Sequence, residues 1–385
     1  MAGPLAGIRV IDLGMYVAGP YVSVILGDLG AEVIKIEPLG GEPGRVYFRG
    51  LAACNRGKRV IAVDMKTVEG TEVVKRICQT ADVVHHNFRP GVSGRLGVDA
   101  PTLRGRNAEL IVLETPGYGT SGPKSDWPGF DMIFQAYCGH EQHAAGEGNP
   151  PLWYRFAIID FAAGMLGAIA ILGALYRRRR VGEGASLSVS LFDTGIYLLS
   201  ELLKSDDGSM SGVGRKNSAQ TGFHPAESLF QTQDGWIAVA ARDDAMAAEL
   251  ARVLGCTEVA SYPRGCWGEA ERRAISKALR ELATDSAEYM LREAGVWVQR
   301  CRTNAARELL SSPALRALGT SLAGTHPKYG ETLQIGPCMS LSAAPFESAK
   351  RDGIPALGEH TRELLREIGY ADADIDTLYG RKAVA

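Results

Sequence analysis

The chain has 385 residues, 42 Lys and Arg against 44 Asp and Glu for a net charge of -2, 45% hydrophobic and 22% charged residues, 46 Gly and 18 Pro. This excludes a disordered polyelectrolyte, and near-neutral charge gives no field to attract nucleic acid, although a small phosphate-bearing ligand needs only a local site. Seven scattered cysteines, an odd number without a C-x-x-C pair, suit buried thiols in a reducing, cytoplasmic compartment better than a zinc knuckle or disulfide framework.

In chain order, Gly7 to Asp12 reads as a buried strand, Gly19 to Leu29 as a helix and Val33 to Glu37 as a second strand, a βαβ unit. Val60 to Asp64 is another strand, Val68 to Thr80 a helix, and Asp82 to His86 and Leu110 to Glu114 further strands. Short Val/Ile runs alternating with helices predict an α/β fold with a mostly parallel sheet covered on both faces. Ligand chemistry is then expected beyond the carboxyl ends of the strands, in residues 13–20, 38–49, 87–91 and 115–123.

Phe156 to Tyr176 is apolar apart from Asp160 and runs into Arg177 to Arg180. Its glycines and alanines predict a tightly packed internal helix and no membrane span. Leu187 to Phe192 reads as a strand and Thr194 to Leu203 as a helix, followed by a polar, glycine-rich stretch over 204–221. A hairpin around Gln233-Asp-Gly235 and helices from Asp244, Trp267 and Ser286 predict a second, smaller domain.

Familiar motifs are lacking. Gly14 to Gly19 has no intermediate glycine and Pro20 has no N–H, so the dinucleotide fingerprint fails despite Glu37. Neither a Walker A sequence nor a G-x-S-x-G elbow occurs. His85-His86 and His140 with His143 lack the carboxylate companions of a metal site, and none is expected. Asp160, inside an apolar run where a helix starts, has two readings: an N-terminal cap, or a partly desolvated carboxylate poised as nucleophile or acid/base group.

Several segments, in order, carry a resemblance over almost the whole chain: Leu5-x-Gly7-Ile-Arg-Val-Ile-Asp12, Ala18-Gly-Pro20, Leu29 to Glu37, Asn55-Arg-Gly-Lys-Arg59 before Val63-Asp-Met-Lys66, Asn87-Phe-Arg-Pro-Gly91, Tyr118-Gly-x-x-Gly-Pro123, Asp160-x-x-x-Gly164 and Leu357-Gly-Glu-His360. The chain resembles the class III CoA-transferases, a family that includes formyl-CoA transferase, carnitine CoA-transferase and the alpha-methylacyl-CoA racemases. The resemblance implies a Rossmann-like large domain over 1–203, a linker over 204–226, a small domain over 227–305, a return linker over 306–330 and a C-terminal part, 331–385, packing on the large domain. It also implies two chains interlocked as a homodimer.

By the same resemblance Asp160 is the catalytic aspartate, which attacks an acyl-CoA thioester and passes through an acyl-aspartyl anhydride and an aspartyl-CoA thioester. The segment at Gly19-Pro20 reads either as a tight helix entry alone or, as the resemblance implies, as one that also turns Tyr16, Val17 and Ala18 toward the thioester. Asn55, Lys58 and Arg59 are either phosphate-side CoA contacts or an ordinary solvated turn, Arg89 and Arg45 are further candidate cations, and Asn87, Phe88, Tyr118 and Gly119 complete the CoA site. Coenzyme A is expected as substrate, with no tightly bound cofactor, and the partners are an acyl-CoA and a small or medium carboxylic acid such as a dicarboxylate. Phe130 stands where racemases carry a histidine, and a phenyl ring cannot carry a proton, which favours transfer over racemisation. A non-catalytic acyl-CoA binder is the third reading. Asp131 reads as a cap or structural acceptor, and His224 as a packed loop histidine or a visitor to the site. Val17 in place of a glutamine and Pro38 in place of an arginine count against formyl/oxalate specificity.

Overall fold

The computed structural model describes residues 3–47, 53–212, 216–326, 328–339, 341–342 and 353–385. The chain divides into two units: Met1–Cys138, Arg155–Ser200 and Ala306–Ala385 form the larger, Gly139–Tyr154 and Glu201–Ala305 the smaller. Residues 139–154, read from sequence as part of the large domain, thus fall with the smaller unit.

The larger unit is built on a six-stranded parallel sheet of β1 (Arg9–Asp12), β2 (Glu32–Glu37), β3 (Arg59–Ala62), β4 (Val83–His86), β5 (Ile111–Glu114) and β6 (Ser186–Ser188), in the order β3-β2-β1-β4-β5-β6. Adjacent residues on each strand serve opposite faces, as the pleat requires. Ile11, Ile34, Val84 and Val112 pack against Val73, Val74 and Ile77 of the helix Val68–Gln79. Val10, Val33, Val83 and Ile111 pack against Val22 and Leu26 of the helix Ala18–Asp28, and against Ala168 and Ile171 of the long helix Ile158–Val181. With both faces covered, the strands need near-continuous Val/Ile.

Among the described residues this long helix alone is apolar and long enough to cross a membrane by composition. Its small residues have another use. A Cβ on Gly164 would lie 3.0 Å from Tyr21 Cβ, and one on Gly167 would lie 3.0 Å from Val22 and Leu113, so the glycines let helix, neighbouring helix and sheet approach closely.

The edge strand β3 is covered by the C-terminal segment. His360 N donates to Val60 O (3.0 Å), Val60 N to His360 Nδ1 (3.1 Å) and Ala62 N to Thr361 Oγ1 (3.2 Å), while Ala385 N donates to Ala62 O (3.1 Å). Leu364, Leu365, Ile375 and Leu378 complete the core on that face. An otherwise open edge is thereby closed within the chain.

The strand expected over 187–192 stops at Ser188. Ser190 Oγ accepts the Asp193 N–H at 2.9 Å and starts the helix Leu191–Tyr197, so local capping overrides the β-propensity of the run. The polar stretch 204–221 carries a two-stranded ribbon, Leu203–Lys204 with Met210–Ser211, and residues 213–215 lie outside the described residues.

The smaller unit is a four-stranded antiparallel sheet. Glu227–Gln231 pairs with Trp236–Ala240 as the hairpin read from Gln233-Asp-Gly235, flanked by Trp297–Arg300 and Gly222–His224. Helices Asp244–Val253, Glu269–Arg280 and Thr284–Glu293 bury Leu250, Ile275, Leu279 and Leu291 against Ile237 and Val239.

Candidate active site

The sheet order reverses between β1 and β4, where the loops leaving their carboxyl ends diverge and open a crevice. A buried charge cluster sets the loop after β1. Asp12 Oδ1 accepts the Gly14 N–H (2.7 Å), and Oδ2 accepts Ser23 Oγ–H and Lys58 Nζ–H (both 2.8 Å). Lys35 Nζ lies 3.4 Å from Oδ1 and donates to Gly14 O, and His85 Nε2 lies 3.5 Å from the same oxygen. Burial alone would raise the Asp12 pKa, but Lys35, Lys58 and His85 outweigh it and hold the carboxyl well below the usual range. Burial lowers Lys58 to about 8 and His85 to about 4.

Above this cluster the loop is clamped from two sides. Asn87, just after β4, accepts from Met15 N and donates to Met15 O, each at 2.8 Å. Buried Glu42 accepts the N–H groups of Tyr16 (3.1 Å) and Gly44 (2.8 Å) through Oε2. Tyr16 is held at φ 62°, a left-handed conformation costly for a residue with a Cβ. Its ring meets Phe130 edge-on, centroids 5.4 Å apart.

Asp160 is the third residue of the long helix. The capping role left open by the sequence is filled by another residue: Asp131 Oδ2 accepts the free N–H groups of Ile159 (2.8 Å) and Asp160 (3.1 Å), while its Oδ1 takes the Gln135 side-chain amide. No donor among the described residues reaches the Asp160 carboxylate. Burial, reinforced by the Asp131 charge, raises Asp160 from 3.8 to about 7.

Asp160 opens on a cleft of about 390 Å³. Met15, Tyr16 and Ala18 line it from the β1 loop, Asn87, Phe88 and Arg89 from the β4 loop, and Thr115, Ser125, Trp127 and Phe130 from the segment after β5. Arg89 is exposed and has no carboxylate partner among the described residues. Spacing singled out neither Ser125 nor Trp127, and the signal that could have found them is their place in the long connection after β5.

The other candidates lie off this wall. Val17 is buried beneath it. Arg45 forks onto Glu37 (2.7 and 2.9 Å) and donates to Pro355 O (2.7 Å). Asn55 and Lys58, expected as phosphate contacts or a solvated turn, are buried: Lys58 Nζ donates to Asn55 Oδ1 (3.1 Å), Pro20 O and Asp12. Arg59 pairs with Glu32, Glu363 and Glu367. These cations neutralise the protein's own carboxylates, which leaves no charge pointing at a ligand. Tyr118 packs among Trp127, Phe134 and Phe192, and Gly119 takes φ +92° in the turn that follows. His224, in the smaller unit, is engaged by Ala226 N (3.0 Å) and Arg264 O (3.2 Å). No group of three His, Cys, Asp or Glu among the described residues could hold a metal ion.

Asp160 thus presents to the cleft, from the first turn of its helix, a carboxylate that no described residue donates to. Comparison with known proteins gives the family. The sequence pattern of CoA-transferase family III matches residues 5–361. The chain belongs to CoA-transferase family III. Succinyl-CoA–D-citramalate CoA-transferase of Chloroflexus aurantiacus is 31% identical across 99% of this chain and 98% of its own length. Succinate–glutarate CoA-transferase of Agrobacterium fabrum is 30% identical across 95% and 96%. The crystal structure of a CaiB/BaiF family protein from Brucella suis superposes with a TM-score of 0.83 at 26% identity, covering 96% of this chain and 100% of that one. The chain is an enzyme of the class III acyl-CoA:carboxylate CoA-transferase type, with acyl-CoA as substrate.

Proposed function

We propose that this CoA-transferase moves CoA from a short acyl-CoA to a free carboxylate through covalent intermediates on Asp160. The carrying observation is that carboxylate: it faces the cleft, no described group donates to it, and its proton affinity is raised to about 7, so it is a poorly solvated nucleophile once ionised. An Asp160 oxygen attacks the thioester carbon, the C–S bond breaks, and CoA leaves as thiolate from an acyl-aspartyl anhydride. The thiolate then attacks the aspartyl carbonyl, releasing the donor acid and leaving an aspartyl-CoA thioester. The acceptor carboxylate reverses both steps, regenerating Asp160 and a new acyl-CoA.

Tyr16 and Ala18 are proposed to wall the thioester, with Asn87 and Phe88 flanking the pantetheine arm and Arg89 meeting CoA phosphates. Val17, Arg45, Asn55, Lys58, Tyr118 and Gly119 support these positions from behind, whereas Arg59, at the amino end of β3, ties the sheet to Glu363 and Glu367 of the C-terminal segment. The acids named for the two relatives, succinate, citramalate and glutarate, all carry two carboxylates, and a short dicarboxylate pair with succinyl-CoA as donor is proposed here. Phe130 on the wall offers no proton carrier for racemisation. An interlocked homodimer and a cytoplasmic setting complete the reading.

Mass spectrometry after incubation with a panel of acyl-CoAs tests it. A hydroxylamine-sensitive adduct on Asp160, lost in Asp160→Asn together with transfer, is expected. Unchanged transfer by that variant overturns the mechanism.

A further inference from the structure

Asp131 comes from the helix Asp131–Tyr137, 29 residues before Asp160, yet one of its oxygens takes the backbone N–H groups of both Ile159 and the nucleophile itself. A cap is ordinarily supplied by the residue just ahead of the helix, but here that position is Ala157, which has no side-chain acceptor. Asp131 is itself buried and anchored by Gln135, whose amide also reaches Phe156 O at 3.3 Å. The first turn of the nucleophile's helix is thus pinned by a side chain that also carries charge.

That choice has an electrostatic cost, because a neutral Ser or Asn would cap without placing a second carboxylate beside the first. The cost falls only on the free enzyme. When Asp160 carries CoA its side chain is uncharged, and the repulsion is gone.

We propose that Asp131 is a positioning residue that pins the turn bearing Asp160 and, by like-charge repulsion, biases the nucleophile toward its covalent CoA ester. This rests on the covalent reading of the preceding subsection. The exchange is Asp160 carboxylate plus acyl-CoA giving aspartyl-CoA thioester plus free acid: one Asp160 oxygen leaves with the acyl group, and the negative charge moves from the buried site to the released acid. Tyr16 and Arg89 share the cleft, but neither sets the Asp160 proton affinity, which follows burial and Asp131.

Asp131→Asn keeps an acceptor oxygen for the two N–H groups and removes the charge, whereas Asp131→Ala removes both. The amount of aspartyl-CoA formed at fixed succinyl-CoA and succinate, quantified by mass spectrometry, is expected to fall about tenfold in Asp131→Asn, as loss of a one-unit charge interaction implies. The Asp160 titration midpoint, followed by carboxyl NMR against an Asp160→Asn reference, moves down by about one pH unit in the same variant. Asp131→Ala additionally lowers kcat, with partial recovery in Asp131→Asn. An unchanged midpoint and adduct level in a folded Asp131→Asn overturn the proposal. If no adduct forms on Asp160 in the unsubstituted enzyme either, the covalent reading fails instead, and the NMR midpoint still reports whether the two carboxylates interact.

Discussion

Glu42 Oε2 accepts the backbone N–H of Tyr16 at 3.1 Å and holds that residue at φ 62°, so a buried carboxylate stabilises a left-handed backbone at the mouth of the cleft. Glu42 is fixed in turn, its own N–H donating to Glu37 Oε2 at 3.1 Å and the Glu37 carboxylate being held by Arg45. Replacement of Glu42 by Ala leaves the N–H groups of Tyr16 and Gly44 unpaired. A loss of about 2 kcal/mol in denaturant unfolding is expected, with a fall in kcat as the Tyr16 ring leaves Phe130. Glu42→Ala with unchanged stability and turnover would show that the loop holds this shape unaided.

Activity should follow the ionisation of Asp160. Its pKa is raised to about 7 by burial and by Asp131, and in the proposed mechanism only the ionised form attacks, so kcat/KM is expected to rise with pH and level off above that value. The stability sign is opposite. The folded state holds the proton more tightly than the unfolded chain, so this residue costs no stability below the ordinary carboxylate range and its cost grows as pH rises from 3.8 toward about 7. Asp160→Asn should therefore be inactive yet more stable than the parent by about 2 kcal/mol at about pH 8, with the difference vanishing by about pH 4. Thermal melts at the two pH values decide it.

Two basic residues that look alike in sequence should behave differently. Arg89 is exposed on the cleft, so Arg89→Ala is expected to raise KM for acyl-CoA about tenfold and leave the melting temperature alone. Lys58 is buried against Asp12, so Lys58→Ala should cost about 3 kcal/mol of stability, as breaking a buried pair does. A Lys58→Ala protein that melts normally but binds CoA weakly would restore the phosphate-contact reading.

The C-terminal segment is part of the larger unit's core. Truncation after His360 removes Leu364, Leu365, Ile375 and Leu378, all at or below 5% exposure, and takes the Thr361 and Ala385 hydrogen bonds from Ala62 on the edge of β3. Loss of cooperative unfolding and aggregation are expected in circular dichroism and light scattering. A soluble truncated protein with a sharp transition would contradict this.

Sequence alone determined the parallel α/β sheet, because strands buried on both faces must be continuous runs such as VIKIE and LIVLE, and covering helices must repeat apolar residues near every fourth position. It also marked Asp160, since a carboxylate in an apolar run is costly without a purpose. It did not show whether Asp160 caps its own helix, nor which cations are taken up by the protein's own acids. Those distinctions depend on residues far apart in the chain: Asp131 reaching the turn of Asp160, Asp12 gathering Lys35 and Lys58, and Glu363 and Glu367 closing on Arg59. Burial and partner geometry set the charge state and the work of an ionisable side chain, and only the folded chain supplies them.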